Sequence, residues 1–358
     1  MPRIFPDATW RSDVASCRAL LRGGSRTFFA ASFLLPRRVR EPASALYAFC
    51  RLADDAIDLR ERRGTGAIAN LERRLDAIYR GQPGSHPADR ALTEVVSRHA
   101  IPRALPAALL EGLAWDAKGR RYATLAELEA YAARVAGSVG AMMALLMGVR
   151  GEAQLARACD LGIAMQLTNI ARDIGEDARA GRLYLPRDWM DEAGLDPGAF
   201  LQRPQFTPAL SKVIARLLDA ADTLYARADA GIAALPSSCR PGIRAARLLY
   251  AEIGHELRRN GLDSVTTRTV VPARRKLALL QSALKGAPAD NTHAAATCLQ
   301  EASFLVGAVE TVHAAAVTAD TIRWWDFHNR YIWVIELFHR LEARNRYTEN
   351  DATRELAA

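Results

Sequence analysis

Two short stretches of this sequence are rich in oxygen-bearing side chains that could bind a metal ion. Residues four positions apart lie on one face of a helix, so each stretch predicts a ladder of oxygen ligands that point in one direction. Like charges at this spacing destabilise an isolated helix by roughly 0.2–0.5 kcal/mol per pair, and ligand sets made only of oxygen favour Mg²⁺ or Mn²⁺. The ladders consist of Asp54 with Asp58, and of Asn169 with Asp173 and Asp177.

An arginine lies beside each ladder. Arg51 precedes Asp54 by one helical turn, whereas Arg172 is adjacent to Asp173 and Arg182 follows a little further along the chain. Mg²⁺ in proteins commonly binds one or two carboxylates together with substrate phosphates, and the arginine fork matches phosphate oxygens bidentately. The sequence therefore predicts two diphosphate clamps. The alternative is a pair of solvated acidic helix faces with surface salt bridges.

Longer matches surround both ladders. Residues 47–58 read YAFCRLADDAID, residues 166–177 read QLTNIARDIGED, and residues 181–186 read GRLYLP. These stretches resemble the signatures of the squalene and phytoene synthases, a family that joins two prenyl diphosphates head to head. The resemblance covers roughly residues 15–285, in family order. Further matches are Ser25-Arg26-Thr27-Phe28, Tyr131 with residues 135–140, and residues 249–253.

The resemblance implies an all-α fold, a single large helical bundle of the isoprenoid-synthase type around a central cavity, with a C-terminal helical extension. It implies that two geranylgeranyl diphosphates condense through a cyclopropyl diphosphate to the C40 hydrocarbon 15-cis-phytoene, the first committed step of carotenoid biosynthesis. Mg²⁺ or Mn²⁺ would be the cofactor, and no NADPH would be needed. The expected partners are the prenyl diphosphate, a membrane surface and a downstream carotenoid desaturase that takes over the product.

The resemblance also assigns roles to individual side chains. Metal ions would be held by Asp54, Asp58, Asn169, Asp173 and Asp177. Diphosphate would be held by Ser25, Arg26, Thr27, Arg51 and Arg172, with Arg182 close by. The rest of the substrate would be approached by Phe28, Tyr47 and Gln166, and the rearranging cation by Tyr131 and Tyr250.

A few positions depart from the family pattern or lie beside it. Thr27 stands where the family often has serine, and Gly24 stands where a larger polar residue is common. Asp55 and Glu176 lie off the two ladders and are expected to support the metal ligands or to be solvated. A basic cluster suits closure over a diphosphate or a solvated helix end; it consists of Arg268, Arg274, Arg275 and Lys276.

Rival functions use the same residues. A squalene or dehydrosqualene synthase would carry the same clamps for C15 substrates, and squalene formation would also need NADPH. A non-catalytic binding or assembly protein on this fold would be expected to lose some of the acids, whereas all of them are present here.

The elements that must position these side chains are helices. Apolar residues recur at three- and four-residue spacing almost throughout, and no run of alternating β-branched residues competes with them. The small-residue run from Val135 to Leu146 suits close helix packing or the wall of a hydrocarbon tunnel. Helices are predicted near residues 38–60, 67–81, 104–120, 125–149, 151–178, 207–233, 238–263 and 270–284.

The sequence divides at the Gly- and Pro-containing stretch of residues 285–291. We predict a catalytic domain over residues 1–285, and a linker with a helical extension over residues 286–358. An aromatic and apolar stripe at helical spacing runs from Trp324 to Leu341 in this extension. Such a stripe suits docking on the catalytic body or contact with a membrane surface.

Composition narrows the class of protein. The net charge of +8 is compatible with nucleic acid, anionic lipid or an anionic substrate, but no nucleic-acid motif accompanies the scattered basic residues. Five widely spaced cysteines without a CxxC pair argue against a disulfide framework or a zinc site. The start lacks a secretory signal, and the longest apolar stretch, Val139 to Val149, is too short to span a membrane. We expect a cytoplasmic enzyme, peripherally associated with the inner face of the membrane.

Overall fold

The computed structural model describes residues 4–24, 26–60, 66–285 and 296–310, with the backbone alone for residues 26–28, 58–60 and 310. Within these ranges the chain forms helices and no β-strand, which confirms the all-α prediction. The first eight α-helices are α1 (Asp7–Gly24), α2 (Arg26–Ser32), α3 (Arg37–Arg60), α4 (Ala67–Tyr79), α5 (Pro87–Arg98), α6 (Ala104–Ala117), α7 (Leu125–Ala132) and α8 (Ser138–Leu146). The others are α9 (Glu152–Arg179), α10 (Arg187–Glu192), α11 (Pro197–Gln202), α12 (Pro208–Ala234), α13 (Arg240–Arg259), α14 (Ala273–Lys285) and α15 (Ser303–Glu310).

Local signals set several helix ends. Thr207 caps α12 because its hydroxyl oxygen accepts a hydrogen bond from the backbone N–H of Leu210 at 3.1 Å, and Pro208 occupies the first turn, where its missing N–H costs nothing. At the end of α9, Gly181 adopts a φ of 78°, a left-handed conformation that glycine tolerates best. This turn carries the chain from the second acid ladder towards Arg182 and Tyr184.

Helix α9 lies at the centre of the bundle and packs along α12, α8 and α13. Two glycines allow its close approach to the preceding segment: a Cβ at Gly140 would collide with the carbonyl oxygen of Ala158, and one at Gly162 would collide with the carbonyl of Ala136. Most of the buried apolar side chains form one continuous cluster around α9. The second acid ladder is therefore built on a helix that packs against several others in the bundle.

Most predicted helices are observed within a few residues of their expected ends. The prediction of one helix over residues 125–149 is wrong in detail, because a π-helical turn, Ala133–Gly137, separates α7 from α8. Six helices were not predicted: α1, α2, α5, α10, α11 and α15. The stripe from Trp324 to Leu341 lies outside the described residues. None of the described helices is long and apolar enough to cross a membrane.

Candidate active site

The first ladder lies on α3, and its arginine contacts two carboxylates. Arg51 Nη1 lies 3.5 Å from Asp54 Oδ2, and Arg51 Nη2 lies 2.7 Å from Asp55 Oδ1. Arg51 and Asp54 are 42% and 47% exposed, so solvent weakens this pairing and the arginine can exchange partners. Asp55 therefore takes part in the arginine pair, although its spacing places it off the ladder. The side chain of Asp58 lies outside the described residues.

The second ladder lies on α9, where two arginines converge on one carboxylate. Arg172 donates two hydrogen bonds to Asp173, with Nε 2.8 Å from Oδ1. Arg268 reaches the same carboxylate from the loop after α13, with Nε 2.9 Å from Oδ1 and Nη2 3.4 Å from Oδ2. Burial alone would raise the pKa of Asp173, but the hydrogen bonds from these two guanidinium groups outweigh it and lower the pKa. Asp173 is therefore held in its charged form.

Asp177, one turn further along α9, behaves in the opposite way. Burial and the nearby charge of Asp173 raise its pKa to about 7, and Arg182 only partly opposes this rise. A half-buried carboxylate beside a second carboxylate, with little positive charge nearby, is typical of a cation-binding site. Asn169 and Gln166 lie further back on the same helix and are also half-buried. The donor set of this face, two carboxylates and a carboxamide, fits Mg²⁺ or Mn²⁺.

A third acid, Asp116 on α6, links the two ladders. Its Oδ2 accepts a hydrogen bond from Tyr131 Oη at 2.8 Å, and its Oδ1 accepts one from Tyr184 Oη at 2.9 Å. Burial raises the pKa of Asp116 to about 6; the two tyrosine hydroxyls oppose this rise, and the charge of Asp54 adds to it. The charge of Asp116 in turn raises the pKa of Asp177. Asp116 therefore lies within electrostatic range of both ladders.

Sequence reasoning missed Asp116 because it stands alone. It has no acidic neighbour at the spacing that marks a ladder, and its helix is otherwise largely apolar, ALPAALLEGLAWDA. The one available signal was an acid near the end of a helix whose other residues belong to a protein core. Tyr131 and Tyr184 stack with their ring centroids 5.3 Å apart, and Tyr122 lies against both rings. The carboxylate is thus enclosed by aromatic side chains.

The unusual Gly24 has a structural reason. A Cβ at this position would collide with the hydroxyl oxygen of Tyr47, so the glycine leaves room for the tyrosine that the sequence placed near the substrate. Burial raises the pKa of Tyr47 to about 12, the charge of Arg51 opposes this rise, and Tyr250 is close enough to contribute to it. Tyr47, Arg51 and Tyr250 are thereby neighbours. Ser25 and the side chains of Arg26, Thr27 and Phe28 lie outside the described residues.

A cavity opens beside the arginines that accompany each ladder. One, of about 650 Å³, is lined by Arg51 and Asp55 together with residues of α1 and the start of α5. The other, of about 230 Å³, is lined by Arg172, Asp173 and Arg268 among others. The predicted basic cluster does not act as a unit, since Arg268 joins the second cavity but Arg275 pairs instead with the buried Glu252, with Nε 2.8 Å from Oε1.

Among the side chains that the structure describes, no three Asp, Glu, His or Cys residues lie close enough together to hold a metal ion as they stand. The arginines now occupy the oxygens of Asp173, while Asp177 is only partly compensated, by Arg182. The residues therefore fit a bound cation chemically, and its binding would require the arginines to move from carboxylate to phosphate.

These observations define an all-α protein with two carboxylate–arginine faces, each next to a cavity and suited to diphosphate groups. Comparison with known families agrees: the family model described as squalene/phytoene synthase matches residues 21–281. The chain belongs to this family of prenyltransferases.

Individual relatives and structures show how close the similarity is. The chain is 55% identical over 278 residues to a phytoene synthase from Cereibacter sphaeroides, covering 75% of this chain and 78% of that protein. It is 43% identical over 265 residues to a 15-cis-phytoene synthase from a Paracoccus species, covering 72% of this chain and 86% of that protein. A crystal structure of a dehydrosqualene synthase in complex with ligand has a TM-score of 0.69 at 31% identity, over 77% of this chain and 96% of that one. A squalene synthase from Alicyclobacillus acidocaldarius has a TM-score of 0.65 at 26% identity, over 72% and 97%.

The raised pKa of Asp177 predicts how stability depends on pH when no divalent cation is present. The folded protein holds a proton on Asp177 up to about pH 7, whereas the unfolded chain releases it near pH 4. This stabilising difference is therefore lost as the pH rises through the folded-state pKa. In EDTA, Asp177→Asn should raise the free energy of unfolding at pH 8 by on the order of 2 kcal/mol, seen as a higher melting temperature, and should have little effect at pH 4.

The control is Asp191→Asn. Asp191 is 60% exposed and its contact with Arg187 is long, at 3.8 Å, so this surface pair contributes little to stability. Its melting temperature should match that of the wild type at both pH values. A drop in stability for Asp177→Asn at pH 8 would contradict the electrostatic account of this site.

Proposed function

We propose that this protein condenses two C20 prenyl diphosphates head to head to phytoene, through a cyclopropyl diphosphate. The observation that carries this proposal is the pair of carboxylate–arginine faces on α3 and α9, each beside a cavity and both within electrostatic range of Asp116. The reaction needs two diphosphates to be held at once, and this arrangement offers two positions. Relatives at 55% and 43% identity that are named phytoene synthases support the C20 substrate.

The arginines would hold the diphosphates. Arg51, Arg172 and Arg268 are all half-buried or exposed and all contact carboxylates through ion pairs that a phosphate oxygen could replace. Mg²⁺ or Mn²⁺, when bound to Asp54, Asp58, Asn169, Asp173 and Asp177, would supply the positive charge that stabilises the departing diphosphate. Arg268 lies on a loop, so it can follow the phosphate without disturbing a helix.

The tyrosines around Asp116 would act on the cation. Tyr131 donates a hydrogen bond to Asp116 at 2.8 Å, so its oxygen lone pairs remain available to stabilise positive charge or to accept a proton from carbon. An ionised Asp116 increases the electron density on both Tyr131 and Tyr184, whereas a protonated Asp116 does not. The enclosing aromatic rings exclude water, which would otherwise quench the cation.

A C15 substrate is the second candidate. The structural similarity to a dehydrosqualene synthase, at a TM-score of 0.69 and 31% identity, supports it, because that enzyme's fold handles shorter chains with the same architecture. The higher identity to proteins named phytoene synthases favours C20 over C15.

We also propose that the catalytic domain of residues 1–285 contacts a membrane surface peripherally through its net positive charge. Each Lys or Arg near an anionic surface would contribute roughly 1 kcal/mol to this binding.

Removing one ligand from either ladder should abolish turnover. For Asp54→Ala and Asp173→Ala we expect a loss of at least roughly 100-fold in kcat, because each change removes a charged oxygen donor from a solvent-accessible site rather than a core contact. Chelation with EDTA should have the same effect, and added Mg²⁺ or Mn²⁺ should reverse it.

The matched control for these variants is Asp191→Ala, an exposed aspartate on α10. Circular dichroism should show unchanged helix content in all three proteins. Activity close to wild type in either ladder variant would refute the metal assignment.

The product tests the substrate class. With C20 diphosphate, a divalent cation and no reductant, we expect a C40 hydrocarbon with the mass and spectrum of phytoene, identified by chromatography and mass spectrometry. A parallel incubation with C15 diphosphate, with and without NADPH, is the comparison. Products of C30 length alone, or a strict requirement for NADPH, would favour the second candidate.

Asp116→Asn tests the role of the third acid. The amide keeps the shape of the side chain but removes its charge, so we expect kcat to fall by roughly 10- to 100-fold. In the wild type, activity should fall as the pH drops through about 6, because Asp116 becomes protonated there; this acid limb should disappear in the variant. Asp76→Asn, a 43% exposed residue paired with Arg103, serves as control, and an unchanged acid limb in Asp116→Asn would exclude Asp116 as its source.

A further inference from the structure

Residues 296–310, which we call the C-terminal strap, follow the region matched by the family model and pack back onto the bundle. The family match ends at residue 281, and α14 ends at Lys285. The strap begins with extended residues, continues through a 3-10 turn, Gln300–Ala302, and ends with α15. It lies against α6, α7, α8 and α9, and α7 is the helix that carries Tyr131.

Buried charged side chains anchor the start of the strap. Arg157 on α9 donates to the backbone carbonyls of Ala296, at 2.9 Å, and of Thr297, at 3.2 Å. Arg227 on α12 donates to the same Thr297 carbonyl at 2.6 Å. Both guanidinium groups are also held by Asp160, with Oδ2 2.8 Å from Arg157 Nε and 3.0 Å from Arg227 Nε.

Burying the charged side chains of this anchor costs free energy. Arg157 and Asp160 are 2% and 1% exposed, and removing ions from water is expensive unless they are paired and hydrogen-bonded. Here both arginines also donate hydrogen bonds to two carbonyl groups of the strap. A Cβ at Gly231 would collide with the Arg157 side chain, so α12 leaves room for it. The site is thus adapted to hold this segment in one place.

Apolar side chains fix the rest of the strap. Ala302, Leu305, Val306 and Val309 are buried in the main hydrophobic cluster of the bundle. A Cδ1 of Leu305 lies 3.5 Å from the position that a Cβ on Gly137 would take. The strap therefore packs directly on the π-helical turn that follows Tyr131.

A three-layer stack connects the strap to both partners of the active-site hydrogen bond. The Phe304 ring lies 4.9 Å from the guanidinium carbon of Arg134, and the same carbon lies 4.3 Å from the Trp115 ring. Arg134 belongs to the π-helical turn three residues after Tyr131, and Trp115 directly precedes Asp116. Phe304 therefore packs against Arg134, which follows Tyr131 along the chain and contacts Trp115 on the helix of Asp116.

We propose that the C-terminal strap is a positioning element that holds α6 against the π-helical turn and so sets the hydrogen bond between Tyr131 and Asp116. The proposal rests on the proposed function for its catalytic consequence. Neither Phe304 nor Leu305 touches the substrate; they act through Arg134 and Gly137. The strap extends the working unit of the enzyme beyond the region that its family signatures cover.

Two variants of the full-length protein test this proposal. Phe304→Ala removes the outer layer of the stack at a residue that is 39% exposed, so folding is not at risk, and Leu305→Ala loosens the packing on Gly137. We expect each to lower kcat roughly tenfold, because small misplacements of catalytic groups are costly, with KM for the C20 diphosphate within about twofold of wild type. Leu305→Met should restore kcat because it refills the space.

The pH dependence of activity distinguishes a positioning role from a purely structural role, because a purely structural role would leave it unchanged. Burial raises the pKa of Asp116, whereas the hydrogen bonds from Tyr131 and Tyr184 lower it. A loosened strap weakens these bonds, so the acid limb of activity should shift to higher pH in both variants. Hydrogen exchange measured by mass spectrometry should also become faster in peptides that contain residues 131–140.

The control is Leu280→Ala in α14, an equally buried leucine that belongs to a separate hydrophobic cluster. It should lower the melting temperature but leave kcat and the acid limb unchanged. An unchanged kcat and acid limb in both strap variants would overturn the proposal, even if they melt earlier. If the wild type makes no phytoene, the proposed function fails, whereas unchanged hydrogen exchange over residues 131–140 would overturn the strap's positioning role independently of activity.

Discussion

Repulsion between carboxylates in a half-buried site is the constraint on which the rest of this structure depends. Asp173 and Asp177 lie one turn apart on α9, and their pKa values shift in opposite directions. Arg172 and Arg268 both pair with Asp173, whereas the rise in the pKa of Asp177 is opposed only in part by Arg182. Under the proposed function, a bound cation would offset this repulsion and leave the arginines available to phosphate. Metal binding and substrate binding would then be coupled through the same carboxylates.

The site has a polar end, which contains the second acid ladder, and an enclosed end, which contains the tyrosine cluster. Each cavity includes arginine and carboxylate side chains in its lining, Arg51 with Asp55 in one and Arg172 and Arg268 with Asp173 in the other. Asp116 lies where these two environments meet: its charge acts on Asp177, while its oxygens accept hydrogen bonds from two stacked tyrosines. Under the proposed function, the charge of this carboxylate would connect the diphosphate end of the site to the tyrosine oxygens beside the cation.

The sequence predicted those parts of the protein that repeat with the period of a helix. The two ladders, their arginines and the long helices α3, α9 and α12 all follow from three- and four-residue spacing. Asp116 could not be found in this way, because a single acid in an apolar helix has no periodic partner and gains its role from tyrosines 15 and 68 residues away. The π-helical turn after Tyr131 was hidden because its residues continue the helical pattern. The strap was missed because its anchor consists of backbone carbonyls, which any residue could supply.

The protein uses arginine–aspartate chemistry in two physically different ways. Around Asp160 the carboxylate and Arg157 are almost fully buried, and Arg157 and Arg227 both donate to the strap's carbonyls, so exchange would leave unpaired charge in a nonpolar interior. Around Asp54 the arginine is 42% exposed and its distance to the acid is 3.5 Å, so water or phosphate can replace either partner at small cost. The difference between an anchor and a binding site thus lies in burial rather than in residue type. Exposed pairs remain available to the substrate, and the buried cluster keeps the strap, and the wall behind the active site, in one arrangement.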